Sequence, residues 1–147
     1  MQGAQVVALR VAGDGSAINN CNLYGFQDTL CDDRGNHFYK NCNIRDPRLT
    51  VITTQARESS SEDTGYSFVH GRVYGPAKVV NPVGWSHNNQ PNRAKTVYYG
   101  EYKCTGEGSS PSKRVPFAKK LTDKEAKQFI TLDFISATIW LLPPPTI

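Results

Sequence analysis

Apolar and polar residues alternate in short bursts along this chain, and three of the bursts are copies of one another. Ile18-Asn-Asn-Cys-Asn-Leu-Tyr-Gly25 reads onto Tyr39-Lys-Asn-Cys-Asn-Ile-Arg-Asp46, with 21 residues from Cys21 to Cys42. Phe68-Val-His-Gly-Arg-Val-Tyr-Gly75 keeps the apolar and glycine positions of the first copy, with Gly71 where Cys21 stood. Each copy is a short period-two segment closed by a turn residue, a strand that cannot bury its inner face alone. Units of this length with strands rather than helices stack into a solenoid, and the pattern predicts an all-β, right-handed, single-stranded parallel β-helix. Equivalent residues of successive coils then lie about 4.8 Å apart, so Cys21 and Cys42 are expected as neighbouring rungs of one ladder.

The rest of the pattern fills in around the repeat. Val7, Leu9 and Val11 alternate with Val6, Ala8 and Arg10 as an early strand, and Gly13-Asp14-Gly15 turns the chain. Leu49 to Gln55 reads as a β-branched strand, Arg57 to Gly65 as an exposed polar loop, Asn81 to Arg93 as a long surface connection, and Thr96 to Cys104 as a last, aromatic strand. The C-terminal part changes period. Thr122-Asp-Lys-Glu125 is a capping box opening a helix with Ala126, Phe129 and Ile130 on one face, expected to run to Ile130 and to pack on the outside of the solenoid. Trp140 is expected to dock before the closing prolines.

Composition narrows the class. A chain of 147 residues with net charge +4 and negative mean hydropathy is expected to be a single domain, residues 1–147, with much exposed surface. A mildly basic balance suits a polyanion. No Lys/Arg run points to nucleic acid, and Ile139 to Leu142 is too short to span a membrane. The N-terminus has neither a basic region nor a long apolar stretch, so nothing in it directs secretion. Four cysteines show no paired metal spacing, and Cys21 and Cys42 read as small buried side chains in a stack.

The candidate chemistry lies at Gln27-Asp28-Thr29-Leu30. An amide able to hold an oxyanion sits beside a carboxyl able to pass a proton, just after Gly25. In a straight strand the two side chains would point to opposite faces, so the pairing predicts a bend between Gly25 and Thr29, with both side chains half-exposed in a groove shared with Gln5. Asp32 and Asp33 read as loop carboxylates paired with Arg34. His37 and His70 read as satisfied core or edge histidines and His87 as a loop residue. The serines at 59–61 lack a histidine or glycine-flanked elbow.

Gln5-Val6-Val7-Ala8-Leu9-Arg10, the Gln27-Asp28-Thr29-Leu30 motif, Gln55-Ala56-Arg57-Glu58, Pro82-Val83-Gly84-Trp85 and Tyr99-Gly100-Glu101-Tyr102, in that order, resemble the plant pectinesterases, and most closely the short forms without a long pro-region. The resemblance implies hydrolysis of the methyl esters of pectin (homogalacturonan) in the cell wall, with no metal and no cofactor. It implies pectin as partner, together with a pectinesterase inhibitor protein. Carried over residue by residue, it makes Asp28 the general acid, Gln27 an oxyanion glutamine, Gln5 the substrate-side glutamine and Trp85 an aromatic of the sugar-binding groove.

Two pieces of the family's pattern are absent. The segment carrying the nucleophilic aspartate does not follow Ile44, where Arg45-Asp46-Pro47-Arg48 leads into Leu49. The segment with the orienting arginine does not follow Gly75. Each gap is roughly 20 to 30 residues, the size of one coil. Asp46, 18 residues after Asp28, is the nearest substitute nucleophile but reads as a turn residue beside Pro47. The expectation is therefore an impaired esterase, with Asp28 titrating like an ordinary aspartate once its carboxylate neighbour is gone. The alternatives are a non-catalytic pectin-binding or decoy protein and an unstable truncated product.

Overall fold

The computed structural model describes residues 6–47, 51–75 and 80–141. Its first half consists of three coils, each made of three short strands. In chain order these are β1 (Leu9–Val11), β2 (Ser16–Asn19), β3 (Asn22–Tyr24), β4 (Leu30–Asp32), β5 (Asn36–Lys40), β6 (Asn43–Arg45), β7 (Thr53–Gln55), β8 (Gly65–Val69) and β9 (Arg72–Tyr74). They stack into three parallel sheets of order β1-β4-β7, β2-β5-β8 and β3-β6-β9. This is the parallel β-helix that the repeat predicts.

The register shows how the sequence sets the coil. Leu9 faces Leu30, Ile18 faces Tyr39 and Leu23 faces Ile44, an offset of 21 in all three sheets. Cys21 therefore stacks against Cys42 as expected, and both are free thiols. From the second coil to the third the offset is 23 in the first sheet but 29 in the other two. The difference is the loop 56–64, which replaces the short turn between β4 and β5. One corner repeats in all coils: Asn20, Asn41 and His70 have φ of 55°, 55° and 53°. Asparagine tolerates the left-handed region because its side chain bonds locally, which is why it recurs before the cysteine position.

Inside the cylinder Leu30, Tyr39, Cys42 and Ile44 of the middle coil are sealed, while Leu9, Ile18, Leu23 and Phe68 of the outer coils pack against them half-buried. Burial on both sides makes β5 the centre. Tyr39 points in, and Phe38 points out against Ile135 and Ala137.

One buried polar group corrects the sequence reading. Asp32 belongs to β4, not to a loop, and has no exposed surface. Its Oδ2 accepts the Tyr39 hydroxyl at 2.9 Å and meets His37 Nδ1 at 2.8 Å. His37 Nε2 lies 2.7 Å from the carbonyl of Gly13, which can only accept, so Nε2 carries a proton. Burial raises the Asp32 pKa, and the bonds from His37 and Tyr39 oppose the rise. Asp33 pairs with Arg10 rather than Arg34.

The second half wraps the cylinder. β10 (Tyr99–Glu101) and β11 (Ala118–Lys120) form a separate parallel pair, so the predicted strand from 96 to 104 shrinks to its centre. The strand read at Leu49 to Gln55 begins at Thr53, with 48–50 outside the described residues. Helix α1 (Asp123–Ala126) starts at the predicted cap, where Glu125 N–H donates to the Thr122 hydroxyl at 3.3 Å and the Thr122 N–H donates to Glu125 at 2.8 Å. It does not reach Ile130. Beyond Ala126 the chain runs on as a tightened turn, with the Phe129 and Ile130 N–H groups both donating to the Ala126 carbonyl, while the Phe129 carbonyl accepts from Ser67 of β8 and its ring meets Tyr98 and Phe134. A 3₁₀ turn, Leu132–Ile135, and helix α2 (Ala137–Trp140) complete the cover. Trp140 docks by donating to the Ile135 carbonyl at 2.8 Å. Among the described residues no helix is long and apolar enough to cross a membrane.

Candidate functional site

The chain leaves β3 at Tyr24 and must turn sharply to enter β4 at Leu30. Gly25 permits the first step: a Cβ there would stand 2.8 Å from the Val6 carbonyl oxygen and 2.9 Å from Thr29 Cα. Phe26 pairs with Val6 through two backbone bonds of 3.0 and 3.1 Å. Gln27 and Asp28 then both adopt left-handed backbone, with φ of 67° and 55°. Two adjacent residues with side chains in this region cost about 1–2 kcal/mol each, a strain that persists only where the surroundings fix it and that concentrates at functional sites. The predicted bend is present, and both side chains are half-exposed.

Several bonds hold the turn. Asp28 N–H donates to the Val51 carbonyl at 2.7 Å, and the Thr29 carbonyl accepts from Ala8 and Leu9 at 3.0 and 3.2 Å. The Gln27 N–H donates to Asp46 Oδ2 at 2.8 Å, and the buried Thr29 hydroxyl donates to the same oxygen at 3.2 Å. Asp46 is thus no surface turn residue: it has no exposed area, and its own N–H donates to the Tyr74 carbonyl. Sequence reasoning missed this contact because it joins the ends of two successive coils. The near-repeat spacing from Asp28 was the available signal.

The arrangement also corrects the expected behaviour of Asp28. Its pKa is raised, first by burial and second by the negative charge of Asp46. A carboxyl so biased holds its proton further toward neutral pH than an ordinary aspartate and can act as a general acid. An open cleft of about 450 Å³ adjoins the turn, lined by Val6, Tyr24, Gly25, Phe26, Arg45 and Pro47. The third coil meets this turn through backbone, the Val51 carbonyl accepting from Asp28 N–H, while the Val51 side chain is exposed.

The other predicted site residues fall elsewhere. Gln5 lies outside the described residues. Trp85 belongs to a separate cluster: its ring stacks on Tyr99 at 4.5 Å and 11°, and its Nε1 donates to Glu101 at 3.0 Å. Glu101 also receives Arg114 Nε at 2.7 Å, and Arg114 donates further to the carbonyls of Pro82 and Gly108. That arginine, unmarked by any motif, pins the connection carrying Trp85. His37 is a satisfied core histidine as expected, and His70 an exposed corner residue. Among the described residues no group of His, Cys, Asp and Glu is arranged to hold a metal ion.

Three stacked coils of parallel strands, with a strained inter-coil turn at Gln27 and Asp28, define the class: a parallel β-solenoid. The comparisons give the family. The Pectinesterase family model matches residues 1–47 and 75–138, and the chain belongs to that family. It is 40% identical to putative pectinesterase 63 of Arabidopsis thaliana over 190 positions, covering 99% of this chain and 56% of that protein. It is 40% identical to pectinesterase 1 of Olea europaea, covering 97% of this chain and 51% of that protein. Among solved structures it resembles a pectin methylesterase from carrot, with a TM-score of 0.71 and 24% identity over 95% of this chain and 63% of that one, a likeness of fold. The chain spans about half the length of the curated relatives it matches. The 190 aligned positions exceed the 147 residues of the chain by 43, so the relative carries segments that face no residue here.

Proposed function

We propose that this chain acts on methyl-esterified polygalacturonate and releases methanol from it feebly, using Asp28 as general acid and Gln27 as oxyanion donor without a covalent intermediate. The carrying observation is the double left-handed turn, which places Gln27 and Asp28, the latter with a raised pKa, consecutively beside an open cleft. In this reading water attacks the ester carbonyl while the Gln27 amide donates to the oxygen that gains charge. Asp28 gives its proton to the methanol oxygen as the carbon–oxygen bond breaks, and recovers one from the attacking water. Ester and water become acid and methanol, and the enzyme is unchanged. In this reading Asp46, which has no exposed surface, takes no part as nucleophile. Gln5 is assigned to the substrate side of the groove and Trp85, held flat by Tyr99, to stacking on a galacturonate ring. The place of action is the cell wall, with an inhibitor protein as second partner.

A non-catalytic pectin-binding role is favoured by one observation, the full burial of Asp46, the carboxylate that neighbours Asp28. Methanol release separates the readings. The chain is expected to release methanol from pectin slowly, its Asp28→Asn form at background, and a chain with the two absent segments restored much faster. No release from a folded chain that still sediments with pectin establishes the binding role. Release that survives Asp28→Asn refutes the assignment of the acid.

A further inference from the structure

We infer that Asp46 is a positioning residue for the Gln27–Asp28 turn, a buried carboxylate whose Oδ2 clamps the strained backbone on both sides of Asp28. This deepens the proposed function by assigning a residue that acts through the acid, and its main readout is independent of pectin.

A fully buried carboxylate is costly unless it is bonded, and Asp46 has no exposed surface. One of its oxygens collects two donors from the turn, the Gln27 N–H at 2.8 Å and the Thr29 hydroxyl at 3.2 Å. These donors flank Asp28. The backbone between them can adopt left-handed geometry only while both ends are tied, and both ties converge on one atom. A carboxylate is the residue type that accepts from two directions at one oxygen and brings charge as well as bonds. The remaining contacts of the turn confirm a built fixture: Asp46 N–H is anchored to Tyr74 in the coil above, and Thr29 is itself fully buried. The clamp therefore couples three coils at one point.

The charge is the second half of the inference. Around Asp28 the packed elements offer the backbone carbonyl of Val51, the carboxylate of Asp46 just past β6, and Arg45, exposed on the cleft side. A like charge that cannot move or hydrate disfavours ionisation of its neighbour. Because Asp46 is sealed and Asp28 half-exposed, the substrate side meets only Asp28.

The test follows the carboxyl carbon of Asp28 by NMR titration in the intact chain. In the Asp46→Asn form the amide oxygen still accepts from the Gln27 N–H and the Thr29 hydroxyl, so exchange protection of the Gln27 amide is expected to persist while the Asp28 titration moves to lower pH. In the Asp46→Ala form the Gln27 amide is expected to lose exchange protection. An Asp28 titration unchanged in Asp46→Asn, or a Gln27 amide equally protected in Asp46→Ala, overturns the inference. Should either variant fail to fold, the native chain decides: the Gln27 amide, on a half-exposed residue, is expected to be protected from hydrogen exchange by its bond to Asp46, and an unprotected Gln27 amide overturns the inference. Methanol release adds an independent reading. If the native chain shows no turnover while Asp28 behaves as described, the esterase proposal fails and the positioning role stands.

Discussion

Gln27 and Asp28 carry backbone strain that glycine would not, and the side chains they keep are those the chemistry needs. Gln27→Gly is expected to raise stability by roughly 1 kcal/mol, since glycine reaches left-handed geometry freely. It is also expected to abolish any methanol release that depends on the amide, so thermal melts and turnover should move in opposite directions. Asp28 gives a pH-dependent counterpart. Its folded pKa lies above the unfolded value, so its stabilising contribution is complete below the ordinary aspartate range and is lost as pH rises through the raised folded value. Asp28→Asn should therefore gain stability relative to the native chain between pH 3 and pH 7, measured by urea melts across that range. A constant difference would show that Asp28 ionises as freely folded as unfolded. At this scale the sequence was partly legible. Glycine before an amide–carboxyl pair announced a bend, whereas the partner of the bend, Asp46, sat behind a proline that made it look like surface. The two carboxyls meet only because one coil ends where the next begins, and local pattern carries no such information.

Among the elements, β5 stands apart because both of its faces are covered. Ile44, next along the middle coil, has no exposed surface, while Leu23 below it is half-buried. Ile44→Ala is expected to cost about 2–5 kcal/mol, through lost burial plus a residual cavity, and Leu23→Ala distinctly less. Equal losses in denaturant melts would mean that the outer coils are as well sealed as the middle one. Helix α1 makes a contrasting case. A single turn has too few internal bonds to stand alone, so its cap carries unusual weight. Thr122→Ala should cost about 1 kcal/mol, seen as faster exchange at the Glu125 amide. The strands and the cap were readable because stacking and capping are written in residues close together. The end of the helix was not, because the Phe129 carbonyl is claimed by Ser67, 62 residues away, and the two aromatic rings beside it have no sequence periodicity.

For the molecule as a whole, the cylinder is closed only in the middle. Native-state hydrogen exchange should be slowest for the backbone of β4 to β6 and faster in the coils on either side, since opening an end coil exposes half-buried rather than fully buried apolar surface. Uniform protection across all nine strands would indicate that the three coils open as one. The three copies made both the coil count and the jump in offset from 21 to 29 legible, since Gly71 stands 29 residues after Cys42 and the polar stretch between was read as a loop; what stayed hidden is that the jump falls on two sheets only, the first keeping an offset of 23. That jump has a use. The loop 56–64 closes on itself: Arg57 donates to the carbonyls of Ser59, Ser60 and Thr64, and Glu62 accepts from the amide of Ser59. Its base is stitched before the chain rejoins the cylinder, so the register of β8 does not depend on what the tip contains. The corner is a mounting point, where a peptide tag spliced between Ser60 and Ser61 would ride outside the barrel wall and leave the stack beneath it undisturbed.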